Sequence, residues 1–241
     1  MSEYSVVRRY GFRDSFIAAC AAAMLPVSLS AAPTEDGWFA LRNHNPFLQI
    51  YGLPAFQGAV VAADNTTTYR LSFDIANHAD AGTTGAESIV IDGESYYLNL
   101  SFRHGVSEWL ELGIDLPLVA HTDGILDTAI ERWHDVWGLS NSKRQGPSRR
   151  LQFSYNNPPL GSFDLTSQTF GPGDLRLTAA VPLPRPNPTH GLSLAIKSSI
   201  KLPTGDVDSL RGSGAVDVSL GLYASNERLF GNDRLDAAGF V

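Results

Sequence analysis

The stretch Tyr69-Arg70-Leu71-Ser72-Phe73-Asp74-Ile75 decides how the chain is read. Apolar and polar side chains alternate in it without a break, the period of a strand whose two faces meet different surroundings. The alternation returns at Tyr96, Leu98, Leu100 and Phe102 and, after a turn expected at Gly105, at Leu110, Leu112, Ile114, Leu116 and Leu118. Further sets are Leu175, Leu177, Ala179 and Val181; Leu192, Leu194, Ile196, Ile200 and Leu202; Val216, Val218, Leu220 and Leu222; and Leu235, Ala237 and Val241. A weaker strand is expected from Phe56 to Val61. Together these make about eight strands, each near the roughly 9–11 residues that a tilted strand needs to cross a bilayer, and each ends at Gly, Pro, Asn or Asp.

The residues in the other phase are Arg70, Asp74, Asn99, Arg103, Glu111, Asp115, Arg176, Lys197, Lys201 and Asp217. A soluble barrel would turn them to water and its apolar side chains inward, whereas a membrane barrel inverts the arrangement. Period alone fits both. Strand length, an export signal, and aromatics near strand ends (Tyr96, Phe102, Trp109 and Tyr223) select the inverted form. The expected fold is therefore all-β, an antiparallel transmembrane β-barrel over residues 56–241. Short turns near Gly105 and from Arg185 to His190 alternate with longer loops after Asn77, Leu118 and Leu202, the asymmetry of outer-membrane barrels.

The candidate lumen residues are Arg70, Asp74, Arg103, Glu111, Asp115, Arg176, Lys197 and Lys201. Charges of both signs on one face either select a solute or neutralise one another in a structural network. A turn at Gly105 sets Arg103 opposite Glu111 and Asn99 opposite Asp115.

One segment breaks the period. From Asp123 to Gly138 the apolar residues Leu126, Ile130, Trp133 and Trp137 recur at helical spacing, with Asp123 placed to cap the start and Gly138 the end. This amphipathic helix belongs to a long extracellular loop, Val119 to Gly173, which also holds a hairpin through Leu151 to Tyr155 and Phe163 to Thr166. The helix either folds its Trp face onto the barrel rim or serves as a gate over the lumen; Leu126, Ile130, Trp133 and Trp137 are the gate candidates.

The N-terminus reads as a secretory signal over residues 1–31: Arg8, Arg9 and Arg13, an apolar stretch from Phe16 to Leu29, then small residues up to Ala31 and Ala32. Only four apolar residues precede Cys20, too few for a lipoprotein signal, and Gly11 sits where a twin-arginine signal carries an apolar residue. Residues 32–55 form a lead-in and a candidate plug. With 18 Lys and Arg against 25 Asp and Glu, and no basic cluster, nucleic acid is excluded as a partner. The single cysteine falls in the signal, so no disulfide or thiol chemistry is expected of the exported chain.

Several stretches resemble the DUF3187 family of proteobacterial outer-membrane proteins. They are Arg42-Asn43-His44-Asn45-Pro46-Phe47 with Leu53-Pro54, Asp74-Ile75-Ala76-Asn77, Asp92-Gly93-Glu94, and Leu110 through Pro117. His121-Thr122-Asp123-Gly124 with Trp133-His134, Gly173 through Leu177, and Lys201 through Asp206 complete the set. The Asn-Pro-Phe segment and the Trp-His helix are the more specific signals. The resemblance implies an outer-membrane β-barrel with strands beyond Val241 and supplies no catalytic or ligand residues. By that measure the chain, which stops at Phe240-Val241 inside an alternating run, reads as truncated, although eight strands are enough to close.

Three functions follow as expectations. The first is a channel or passive uptake route for small molecules, gated by the 119–173 loop. The second is a closed structural or assembly barrel, its lumen filled by its own side chains and by the segment around Asn45 to Leu53. The third, lipid chemistry, requires Ser, His and an acid together, and the nearest local pair, Ser101 and His104, points to opposite faces of one strand. His44, His104, His121, His134 and His190 lack the short spacing of a metal set. No enzyme activity, metal or cofactor is expected; the expected partners are outer-membrane lipid, the barrel-assembly machinery and a small solute.

Overall fold

The computed structural model describes residues 42–139, 150–184 and 192–226, and the backbone of 237–240. The expected export signal at 1–31, the first ten residues of the expected lead-in, the turn expected from Arg185 to His190, and Leu235 and Val241 lie outside these residues.

The elements are a one-turn helix α1 (Pro46–Gln49), β1 (Thr67–Thr84), β2 (Glu87–Ser107), β3 (Leu110–Thr122) and helix α2 (Asp127–Trp137). They continue with β4 (Gln152–Asn157), β5 (Gly161–Leu165), β6 (Thr169–Pro172), β7 (Arg176–Pro182), β8 (Leu192–Lys201), β9 (Asp217–Asn226) and β10 (Ala237–Phe240). The ten strands form one antiparallel sheet curled into a half-barrel. Its main row runs β1-β2-β3-β7-β8-β9-β10. Above that row β4 joins β2, β5 joins β4, and β6 joins β3. No described helix is long and apolar enough to cross a membrane.

Alternation built the sheet as expected, with local corrections. β1 does not end in a loop after Asn77: it pairs with β2 without interruption as far as Thr84–Glu87 and turns at Gly85, whose φ of +61° suits glycine. β1 and β2, of 18 and 21 residues, therefore rise well beyond the expected crossing length. The segment Phe56 to Val61 forms no ladder and instead lies on the inner face of the sheet. β6 was not legible as a strand, whereas the hairpin read at Leu151–Tyr155 and Phe163–Thr166 is β4–β5.

The β2–β3 register also differs from expectation. Arg103 stands opposite Gly113, Asn99 opposite Pro117, and Asp115 opposite Ser101, a slip of two residues that leaves every side chain on its expected face. The cause is the turn, which falls at Glu108–Trp109 beyond a register irregularity at Gly105–Ser107. Gly105 serves another purpose: a Cβ there would collide with the carbonyl of Ala63, because the N-terminal segment meets β2 at this point in the parallel bridge Asp64–Gly105. The glycine marks a close approach of two backbones.

The sheet carries opposite polarity at its two ends. In the lower part Tyr69, Leu71, Phe73 and Ile75 of β1, Leu100 of β2, and Leu112, Leu116 and Leu118 of β3 are exposed on the outer face. Leu177 and Val181 of β7, Ile196 and Ile200 of β8, and Val218, Leu220 and Leu222 of β9 continue the band. Glu111, Asp115, Arg176 and Lys201 are buried on the inner face. In the upper part the inner face is apolar: Ile91, Leu151, Phe153, Leu165 and Leu210 form a buried cluster against which Phe47, Ile50, Ile89 and Phe163 pack. The reversal happens within single strands. On β2, Tyr96, Leu98, Leu100 and Phe102 occupy the outer face below, and Asp92 and Glu94 occupy the same face above. Register carries the boundary sideways, because Ile75 pairs with Tyr96 and Asn77 with Glu94.

Candidate functional site

The inner face of the lower sheet is where the candidate lumen residues gather. Arg103 donates through Nη2 to Asp115 Oδ1 at 2.8 Å, and its Nε lies 3.9 Å from Glu111 Oε1. Asp115 also pairs with Arg42 of the N-terminal segment at 3.2 Å. Higher on the same face Lys201 Nζ meets Asp174 at 2.6 Å and Asp217 at 3.0 Å, with Ser213 Oγ at 2.5 Å. Each of these buried charges is thus paired and further hydrogen-bonded, the condition under which ions survive out of water. Arg103 reaches both Glu111 and Asp115 diagonally, so the slip in register preserves the opposite-charge contact that the expected one would have made directly.

From α1 at the top, residues 46–66 run down this face and take up its polar groups one by one. Gly52 N–H donates to Asp217 Oδ2 at 2.8 Å, Arg176 donates to the Leu53 carbonyl at 2.9 Å, and Tyr223 O–H reaches the Ala55 carbonyl at 3.4 Å. Ala59 N–H donates to Ser225 Oγ at 3.0 Å, Lys197 Nζ to the Val60 carbonyl at 3.2 Å, and Ala62 N–H to Glu111 Oε2 at 2.7 Å. At the top, Pro46 opens α1, capped by Asn45 Oδ1 on Phe47 N–H at 3.0 Å, and Phe47 meets Phe163 edge to face. Arg70 and Asp74 line a cleft left between β1 and this segment, together with Arg103, Glu111 and Lys197. Tyr223, read as an outer aromatic, is in the inward phase of β9 and is buried under the segment.

A second constellation sits above the apolar band on the outer face. Glu94 is wholly buried, and its carboxylate accepts four hydrogen bonds: from Asn77 Nδ2 at 3.1 Å, Tyr96 O–H at 2.5 Å, Ile125 N–H at 3.0 Å and Leu126 N–H at 2.6 Å. Asn77 also donates to Asp127 Oδ1 at 2.7 Å. A carboxylate at a helix start satisfies donors that the helix leaves open and meets the positive end of its dipole. Glu94 thus does the work expected of Asp123, which accepts from Gln168 instead, and α2 begins at Asp127 rather than Asp123. Gly124, at φ +83° and against the Glu94 side chain, lets the chain wrap the carboxylate. Gly138 closes α2 in the left-handed conformation, as expected.

Phase decides where α2 stands. Glu94 shares its face with Tyr96, whose ring stacks on Phe73 of the outer band, so the helix docks on the outer wall. Leu126 and Ile130 are half-buried at that junction, and Trp133 and Trp137 are exposed with ring centroids 5.6 Å apart. The Trp face is not folded onto the rim, and the four gate candidates do not reach the inner face.

A family model described as a protein of unknown function, DUF3187, matches residues 15–232. The chain belongs to the DUF3187 family. No curated protein and no solved structure matches it.

On the inner side of its upper region this DUF3187 chain also joins three strands through a histidine–serine–histidine relay. His121 Nε2 lies 3.2 Å from the Leu210 carbonyl and must donate to it, so its Nδ1 accepts from Ser95 O–H at 2.9 Å, and Ser95 Oγ accepts from His78 Nε2 at 3.1 Å. Phe153 packs edge-on against both imidazoles. Burial, the dominant cause, lowers both histidines to a pKa of about 4; a nearby histidine lowers each further, His44 beside His78 and His78 beside His121. Leu210 holds a left-handed φ of +51° to offer that carbonyl while burying its side chain. Ser101 and His104 lie apart, Ser101 in the inner cleft and His104 at the exposed start of β1 beside Thr67.

Glu94, quoted only within the stretch Asp92-Gly93-Glu94, carried no expected role, and neither did Ser95 or His78. Glu94 had a usable signal: it is a carboxylate in the apolar phase of β2, two residues before Tyr96. Ser95 and His78 had none, since their partners come from other strands.

Proposed function

We propose that this protein is an outer-membrane β-barrel component, exported by residues 1–31, whose interior is held shut by its own N-terminal segment. The observation that carries the reading is the reversal of polarity along β1 and β2. An outer face that is apolar below and polar above, over an inner face of paired charges below and an apolar cluster above, suits a wall standing half in lipid and half in water. A soluble sheet has no use for that reversal. Residues 42–66 support the filled interior, because they satisfy Asp217, Glu111, Arg176 and Lys197, groups that an open pore leaves to water. Lipid and the barrel-assembly machinery are the partners this reading entails. The burial of both Ser95 and His121 speaks for a structural relay over a nucleophile, which has to meet its substrate.

A gated passage for small polar solutes is the second reading, favoured by the cleft that Arg70, Asp74, Arg103, Glu111 and Lys197 line beside the segment. One set of experiments separates the two. Full-length protein is fractionated, compared boiled and unboiled on a gel, and inserted into planar bilayers beside a variant lacking residues 43–62. The filled barrel predicts an outer-membrane fraction, a band that shifts on boiling, a silent full-length protein and a conducting deletion. A steadily conducting full-length protein overturns the filled interior, and a soluble product with no shift overturns the membrane reading.

A further inference from the structure

Helix α2 has three faces. At about 100° per residue, Asp127, Glu131 and His134 fall on the side that docks toward Glu94 and Asn77. The remaining exposed surface divides in two: Arg132 and Asp135 on one flank, and Ala129, Trp133, Val136 and Trp137 on the other. Exposures of 60% for Trp133, 76% for Val136 and 63% for Trp137 leave this second flank uncovered. A helix whose solvent side is half charged and half aromatic matches a boundary between water and hydrocarbon.

Its height on the wall agrees. The helix is tied to Glu94 and Asn77, the first polar residues above the outer apolar band, and Tyr96 bridges the two by stacking on Phe73 below while donating to Glu94 above. The Trp flank therefore begins at the level where the band ends and continues it sideways. Trp109, 65% exposed in the β2–β3 turn, stands at the opposite end. The outer apolar residues of β3 from Leu110 to Leu118 span about 26 Å, or roughly 20 Å along the normal once tilted, a thin hydrocarbon layer lying between the two tryptophan positions.

We propose that α2 is an interfacial foot: it lies against the outside of the barrel wall and sinks Trp133, Val136 and Trp137 into the boundary between lipid headgroups and acyl chains of the outer leaflet. The proposal rests on the membrane reading above. It assigns the long loop the task of fixing the barrel's depth and rotation in the bilayer, with lipid at its headgroup–acyl boundary as the partner of the exposed flank. Tryptophan is the side chain suited to this, a large apolar body with one N–H for the wet side.

The test uses depth-dependent quenching in phosphatidylcholine vesicles brominated near the headgroup (6,7 positions) or near the chain ends (11,12). Full-length variants retain tryptophan at one site only: W38F/W133F/W137F keeps Trp109, and W38F/W109F keeps the pair on α2. The expected result is stronger quenching by the shallow bromines for both, with the α2 pair losing its quenching when Val136→Asp is added. Quenched Trp109 with an unquenched α2 pair open to aqueous iodide overturns the foot and leaves the membrane barrel standing. An α2 pair shielded from bromine and iodide alike assigns the flank to a protein partner and overturns the lipid one. If neither site is quenched, both readings fall.

Discussion

Glu94 shows how one side chain fixes a whole loop. Its carboxylate holds four donors away from water, two of them the backbone N–H groups of Ile125 and Leu126 at the approach to α2. Glu94→Ala strips these partners and is expected to cost about 3 kcal/mol, the range for removing a hydrogen-bonded buried charge. Hydrogen exchange of residues 123–130 should accelerate while β3 stays protected; unchanged exchange there counts against the capping role. His121 gives a pH dependence. Its folded pKa of about 4 lies below the ordinary 6.5, so between those values the unfolded chain takes up a proton that the folded chain refuses. Stability is full above about pH 6.5 and falls as the pH drops through the window toward 4. For this buried ring the loss is on the order of 3 kcal/mol. His121→Gln keeps the neutral contacts and should reduce the slope of urea midpoint against pH between 7 and 4.5 by about half, leaving the share of His78, whose pKa is lowered alike. A slope equal to the parent's would remove His121 as its source.

At the scale of the element, β2 carries two environments in one strand. Leu100 lies on the outer face below the boundary and Ile91 on the inner face above it, and substitutions should separate the two. Leu100→Arg is expected to cost about 2–4 kcal/mol in vesicles, the penalty of a cation among lipid chains, and little in a water-soluble fragment. Ile91→Ala should cost about 2–4 kcal/mol in any medium, since it opens a cavity in the upper cluster. Urea titration in vesicles reads both, and a Leu100→Arg cost there below about 1 kcal/mol would argue against lipid at that face. The strands themselves were legible because alternation is a local property. Register was not: Gly105 looks like a turn residue, and its reason for being glycine, the carbonyl of Ala63, arrives from a segment that pairs there without forming a strand.

For the whole molecule, the inner charges were legible as a set and their partners were not. Arg103, Glu111 and Asp115 stand in one phase of the alternation, but Arg42, the carbonyls of Leu53 and Val60 and the N–H of Ala62 complete their neighbourhood from a stretch with no period of its own. The same holds for α2, whose helical period was plain while the wall it stands against was fixed only by Glu94. A filled interior predicts that the amides of Gly52, Ala59 and Ala62 exchange as slowly as strand amides, because their acceptors lie on the inner face. Mass-spectrometric exchange over residues 50–64 checks this, and exchange at the rate of an unstructured peptide would empty the interior.

Under the membrane reading proposed above, the mid-strand reversal has a consequence for the bilayer. A wall whose apolar girth spans roughly seven to nine residues per strand cannot be pushed deeper without dragging Glu94 and Asp92 into hydrocarbon, nor lifted without wetting Leu98 and Leu100, so its fit is to membrane thickness more than to lipid identity. In a thin, short-chain bilayer it should insert readily. In a thick one each added ångström of mismatch is met by thinning the lipid around it, which makes such a protein a marker, and in a mixed membrane a collector, of the thinnest patches.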